Sequence, residues 1–411
     1  MKHRDAYVTY LLIEGLFSLF FYIVVTVNLV YQVEMAHLNP LQLVLVGTML
    51  EITSFVSQVP TGVLADVFSR RWSIMIGIFL TGAGFVLEGS IPQFGTILLS
   101  QLGWGIGSSF ITGAEEAWIA DEVGEENVGQ VYMRGTQIGQ VGALIGAVIS
   151  VALASVRLNL PIVLGGVLFM IMAVCLLFFM PEHHFQRGAA SSERPSWKSM
   201  GETFRNGGRL IRTSPLLLTI VAVPLFVGLS SEGLDRLWTA HIVTDFTLPT
   251  LGSLNAVTWF AVIRGGIMVL GIVAVELVQR RFKGKLKGAV PRLLLLLNLF
   301  QIGCIVAFAL AGNFALALLS YGGYAVLRST INPIYATWLT QNSDARVRAT
   351  IISMSSQLDA MGQIVGGPVV GVIGTLASLR AALLAAGALL TPVLLLFTRA
   401  LRLEKERDTG L

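Results

Sequence analysis

The chain has 411 residues, 54% of them hydrophobic and only 13% charged, with a mean hydropathy of +0.75. That leaves too little polar surface to cover a soluble globule, so composition excludes a soluble domain and points to a membrane protein. The net charge of +4 would suggest a nucleic-acid partner in a soluble chain; here it reads as charge that fixes topology, with no nucleic acid expected.

A membrane-spanning helix needs roughly 20 apolar residues. Twelve such runs are expected, at 6–33, 41–68, 72–90, 93–120, 128–154, 158–180, 215–244, 252–278, 290–310, 313–340, 349–374 and 381–399. None shows the alternation of a barrel strand, and helices satisfy their own backbone in lipid. The first run is too long for a cleavable leader and lacks a clean small-residue cleavage site. Cys175 and Cys304 lie in apolar runs, so no disulfide framework, metal site or cofactor is expected.

Of the 28 lysines and arginines, 22 fall in segments that are cytoplasmic if the amino terminus is inside. Only Arg157 and Arg380 fall outside, while Arg134, Arg236, Arg264 and Arg328 lie within spans. This positive-inside bias predicts a multi-pass protein of the inner (plasma) membrane with both termini cytoplasmic. The polar segment 182–214 separates an N-terminal six-helix bundle, 1–181, from a C-terminal one, 215–411. Within it, Trp197, Met200, Phe204 and Ile211 at helical spacing read as a short interfacial helix or, equally, a solvated linker.

Internal matches support two related halves. Trp118, Gly142 and Gly146 recur 220 residues later as Trp338, Gly362 and Gly366. Asp66, Arg70 and Arg71 recur after 210 residues as Glu276, Arg280 and Arg281, and Glu14-Gly15-Leu16 after 218 as Glu232-Gly233-Leu234.

The run Pro60-Thr61-Gly62-Val63-Leu64-Ala65-Asp66-Val67-Phe68-Ser69-Arg70-Arg71 closes the second span and opens the third. Its small residues would let two helices approach, with its charges at the bilayer edge. It resembles the loop between helices 2 and 3 of the major facilitator superfamily, Gly-x-Leu-Ala-Asp-x-x-Gly-Arg-Arg. Gly62, Leu64, Ala65, Asp66, Arg70 and Arg71 match; Ser69 replaces the usual glycine. The twelve spans and their 6+6 split extend the resemblance over nearly the whole chain. Gly362-x-x-x-Gly366-Gly367-Pro368-x-x-Gly371 is similar to the glycine-proline pattern of drug-proton antiporters, which carry it in helix 5. The fifth span keeps Gly135, Gly139 and Gly142 but has Gln140 in place of the proline. Gln101, before Gly105, replaces the family's helix 4 arginine, a departure that bears on proton coupling.

The resemblance implies an all-α membrane protein of two pseudo-symmetric six-helix bundles working by alternating access. It also implies that Arg70 or Arg71 pairs with Asp121, and that Asp66 faces the start of the eleventh helix, forming a cytoplasmic gate with Gly62.

Ionisable groups inside a bilayer cost about 2.5–3.5 kcal/mol each on insertion scales, so each needs a reason. The first half carries Glu14, Glu51, Glu115 and Glu116. On the fourth span Gln101, Ser108, Thr112 and Glu115 share a helical face, as do Glu14, Ser18, Tyr22 and Thr26 on the first and Thr48, Glu51, Gln58 and Gly62 on the second. These stripes line a cavity or bond neighbouring helices. The second half carries Glu232, Asp235, Arg236, Arg264, Arg328 and Asp359. Glu232 and Arg236 can pair at i,i+4, and Arg264 needs an acid, for which Glu232, Asp235 or Asp359 is the natural partner. A desolvated carboxyl is a plausible proton carrier, whereas arginine never deprotonates, so Glu51 and Glu115 are the leading candidates ahead of Glu232 and Asp235. Phe20, Tyr22, Trp104, Trp238, Trp259 and Tyr324 could form an apolar wall.

The expected function is a monomeric secondary transporter, with a small-molecule substrate, protons and lipid as its partners. Proton-coupled efflux of amphiphilic compounds leads; a proton-coupled metabolite importer or a lipid flippase is the alternative. A non-transporting receptor belongs to another class, as does a membrane-embedded enzyme. No His-Glu-x-x-His pair, Gly-x-Ser-x-Gly elbow or phosphate loop supports an enzyme, and Gly103-Trp-Gly-Ile-Gly107 lies inside a helix as packing.

Overall fold

The computed structural model describes residues 2–183, 205, 214–249, 256–282, 290–343 and 348–409. They are helical, with no strand among the described residues. In chain order the helices are α1 (Lys2–Glu34), α2 (Pro40–Val67), α3 (Arg70–Ser90), α4 (Phe94–Ile111), α5 (Ala114–Val123), α6 (Glu125–Ala154) and α7 (Leu160–Phe179). After the central segment come α8 (Pro215–Asp245), α9 (Ala256–Phe282), α10 (Val290–Ala309), α11 (Phe314–Gln341), α12 (Arg348–Leu376), α13 (Leu379–Leu390) and α14 (Pro392–Thr409). Eleven spans among the described residues are long and apolar enough to cross a membrane. The expected interfacial helix around Trp197, Met200, Phe204 and Ile211 lies outside the described residues.

One expected span is broken. The run 93–120 is not one helix: α4 ends at Ile111, Gly113 takes φ +79°, and α5 starts at Ala114. Glycine adopts that left-handed backbone without the steric cost of a Cβ. The single polar face expected from Gln101 to Glu115 therefore does not exist, because the break re-aims everything beyond Thr112. The run 381–399 lies within one span, Leu379–Glu406: Thr391 keeps helical angles, and α13 gives way to α14 there because Pro392 lacks an amide hydrogen.

Helix starts follow local chemistry. Asn39 Oδ1 accepts from the Gln42 amide at 2.9 Å and Gln42 Oε1 accepts from the Asn39 amide at 3.0 Å, a reciprocal cap on α2. Ser69, Ser214, Asn313 and Ser378 accept from the amide three residues on and so cap α3, α8, α11 and α13.

The chain divides into two compact units: Met1–Leu38 with Met49–Met200 and Gly252–Ala261, and Asn39–Thr48 with Gly201–Leu251 and Val262–Leu411. In the first, α6 lays a glycine ridge on α1. A Cβ on Gly142 would strike the Gly15 carbonyl, and one on Gly146 the Leu19 carbonyl. Gly77 and Gly107 bring α3 and α4 together in the same way, so the 103–107 run is indeed packing. In the second unit α12 meets α8 alike: Gly362 abuts the Leu225 carbonyl and Gly366 the Leu229 carbonyl. The opposite face of α12, at Gly367 and Gly371, receives Leu41 and Val44 of α2. The glycine-proline motif is thus a two-sided seat.

These contacts set the register between halves. The glycines are 220 residues apart, but the carbonyls they meet, 15 with 225 and 19 with 229, are 210 apart. Glu14 therefore matches Pro224, and Glu232 matches Tyr22. The 14–16 and 232–234 repeat is not a structural equivalence. Trp118 and Trp338 are both fully buried, donating to the Pro181 carbonyl at 2.7 Å and to Glu404 Oε1 at 3.0 Å.

Candidate functional site

The α2–α3 turn is built around charge. Arg70 donates to Asp121, forming an ion pair, and to the Ala117 carbonyl at 2.7 Å. Arg71 donates to the Leu177 carbonyl, and its backbone amide to Glu182 Oε1 at 3.0 Å. The hydroxyl of Ser69 donates to Glu182 Oε2 at 2.6 Å while accepting from the Trp72 amide. A glycine at 69 could do neither, which gives the departure from the family motif a reason. Thr61, buried, donates to the Ser109 carbonyl of α4 at 3.0 Å, so the close approach of this stretch runs through Thr61; at Gly62 a Cβ would meet nothing within 4 Å among the described residues. Asp66 is exposed.

In the first unit the helix break gathers acids near α1. Glu115 and Glu116 occupy the first turn of α5, where the helix dipole favours negative charge. The hydroxyl of Tyr10 donates to Glu14 Oε1 at 2.8 Å, and Glu14 and Glu116 are the charges that act on Glu115. Glu115 Oε1 is buried with no hydrogen-bond partner among the described residues. Tyr132, whose hydroxyl donates to the Glu116 carbonyl at 3.0 Å, sits edge-on to Tyr10. The α1 stripe lies against α6, with Gly139 beside Ser18 and Glu14 and Gly146 beside Tyr22. Glu51 is half-buried, and Gln58 and Thr112 are exposed.

Gln101 has a different setting from the cavity wall expected of it. It is 1% exposed and donates to Glu88 Oε2 at 3.2 Å, because α3 brings a carboxylate to it. Glu88, fully buried, also accepts from Gln32 at 2.8 Å and Ser100 at 3.1 Å. Glu88 escaped the sequence reading because it sits two residues from the end of α3, where a carboxylate passes for an interfacial residue. Its donors come from α1 and α4, so no local spacing marks it.

The second unit holds an ion-pair array. Glu232 accepts from Arg236 at 3.0 Å, and the pair lies over Gly47, where any Cβ would collide with both side chains. Asp235 accepts from Arg328 at 2.6 and 2.8 Å, and Arg328 also meets the Tyr324 hydroxyl at 3.1 Å. Asp359 accepts from Gln363 at 2.8 Å. Arg264 lies over the Trp238 ring at 5.8 Å. Trp238 in turn stacks on Tyr321, centroids 4.3 Å apart and nearly parallel.

Beside this array lies a cavity of about 300 Å³, entirely within the second unit. Arg328 and Asp359 reach it from α11 and α12, Asn298 and Gln301 from α10. Val223 and Phe397 supply apolar wall. The α10 amides were not anticipated, since α10 reads as a uniformly apolar helix with two isolated polar residues.

Comparison with known proteins agrees with this architecture. The Major Facilitator Superfamily model matches residues 10–358. The uncharacterized MFS-type transporter YxaM of Bacillus subtilis (strain 168) is 24% identical over 362 residues, 87% of each chain. Among solved structures, the nucleoside transporter NupG superposes with a TM-score of 0.74 at 14% identity, covering 96% of this chain and 98% of that one. A bacterial homolog of the human lysosomal transporter Spinster gives 0.71 at 15% identity, covering 98% and 97%. A fold of apolar helices in two units, matched along most of its length by one family model, makes this chain a multi-pass, non-enzymatic transporter of the Major Facilitator Superfamily.

Proposed function

We propose that the protein exports small amphiphilic compounds across the plasma membrane by alternating access, in exchange for protons. The observation that carries the coupling is the acid cluster of the first unit. Glu115 has a buried oxygen without a donor among the described residues, next to the charges of Glu14 and Glu116. A proton on this carboxyl is the charge-neutral way to keep it there, and losing that proton to water is the coupling step. The arginines of the second unit hold Glu232 and Asp235 in ion pairs, which suits those acids to structure and substrate binding. Glu51 remains a second carrier candidate by position. At the cytoplasmic edge, Gly62, Asp66, Arg70, Arg71 and Asp121 act as the gate, a role that the Arg70–Asp121 ion pair supports.

The polar cavity beside Asp359 favours a second reading, import of a polar metabolite. NupG is a nucleoside transporter, and its fold is shared here. Proteoliposomes separate the two readings. Efflux predicts that an inward proton gradient drives outward movement of substrate, while Glu115→Gln abolishes uphill transport and spares exchange. Uphill transport that survives in Glu51→Gln/Glu115→Gln protein would transfer coupling to the Glu232–Asp235 cluster.

A further inference from the structure

We propose that the cavity of the second unit binds a small organic monocation whose ammonium group sits on Asp359. The inference rests on the carrier reading and names the class of its cargo.

Three observations lead there. The first is charge. Arg328 is engaged by both oxygens of Asp235, so its charge is already balanced. Asp359 has one amide donor, Gln363, and no ion pair among the described residues reaches it. An ionised Asp359 gives the cavity one negative charge, which a cationic occupant compensates and a neutral or anionic one does not.

The second is unused hydrogen-bonding capacity. Gln301 is 6% exposed, lines the cavity, and makes no hydrogen bond among the described residues. Its carboxamide opens onto the cavity, where an occupant can complete it. Asn298 donates one amide hydrogen to the Leu294 carbonyl at 2.8 Å and keeps its oxygen as an acceptor. Asn332 lines the same space with no described partner. The carboxamides thus offer acceptor oxygens to the N–H groups of a cargo, beside the carboxylate of Asp359.

The third is size and wall. About 300 Å³ is at the small end of ligand pockets and fits a molecule of one ring with a short arm. Phe397 and the Val223–Pro224 stretch offer that ring an apolar face. An amphiphilic amine satisfies charge, donors and wall together, and exchange for a proton balances its charge.

A matched charge series tests this. Tyramine, tyrosol and 4-hydroxyphenylacetate share ring and arm but carry +1, 0 and −1. Binding to the purified full chain is read by thermal shift and by tryptophan fluorescence. Tyramine should bind about tenfold more tightly than tyrosol, and the acid more weakly still. Asp359→Asn should bring tyramine down to the affinity of tyrosol, whereas Gln301→Leu should weaken both by a similar factor. If Asp359→Asn does not fold, the wild-type order alone decides. Equal binding of all three, a preference for the acid, or no shift with any overturns the proposal. Counterflow in proteoliposomes keeps the two readings apart. Tyramine that binds but does not exchange leaves the site and removes the carrier reading. Exchange of another compound without tyramine binding does the reverse.

Discussion

Gln101 donates its side-chain amide to Glu88 at 3.2 Å, and both side chains are sealed from solvent. The residue that stands where the family's arginine is expected is therefore committed to a buried carboxylate on the neighbouring helix. Gln32 and Ser100 donate to the same carboxylate. Glu88→Ala should strand these donors in an apolar setting, at about 1–3 kcal/mol for each group left unsatisfied. Glu88→Gln should cost less, since it keeps the volume. The check is the apparent melting temperature in detergent, and equal melting of Glu88→Ala and wild type would contradict a structural role for the network.

The glycine contacts predict a sharp contrast. Gly366→Ala should destabilise the second unit, because its Cβ would run into the Leu229 backbone, which cannot step aside like a side chain. Gly62→Ala should leave folding unchanged, since the space there is open. Expression and monodispersity of the two variants, side by side, decide it.

At the α2–α3 turn, Ser69→Gly removes the hydroxyl that meets Glu182, but glycine is itself a tolerable cap residue. Ser69→Ala should therefore be the worse of the two, by about 0.5–1 kcal/mol. Asp121→Asn should weaken the hold on Arg70 and raise the reactivity of single cysteines placed on the cytoplasmic faces of α3 and α5. Unaltered reactivity with normal transport would make Asp121 a topological charge only.

Orientation has its own test. A protease site inserted next to Ser191 should be cut only from the cytoplasmic side. Cleavage from outside intact cells would reverse the topology drawn from the lysines and arginines.

Helix existence was legible because span length in a bilayer is set by thickness, and apolar runs such as 160–179 and 290–309 end close to where the hydrophobicity stops. The Glu232–Arg236 and Arg70–Asp121 pairs were legible as well, the first through i,i+4 spacing and the second through the motif. What stayed hidden depends on backbone angle or on distant helices. Gly113 is one of 43 glycines, and nothing in its neighbours says that it alone in α4–α5 turns left-handed. Glu88 and Gln301 gain meaning only from partners or space contributed by other helices. The 14–16 and 232–234 match misled because three like residues can coincide, whereas the glycine-to-carbonyl contacts fix the register.

The glycine seats of α6 on α1 and of α12 on α8 have a mechanical consequence. Helices that touch backbone to backbone cannot slide past one another by changing rotamers, because no side chain stands between them to rearrange. Each pair behaves as a laminated beam, stiff along its length. Spin labels on α1 and α6 near Gly142, or on α8 and α12 near Gly366, should hold one constant separation through the whole transport cycle, which makes these pairs the fixed rulers against which every moving part can be measured.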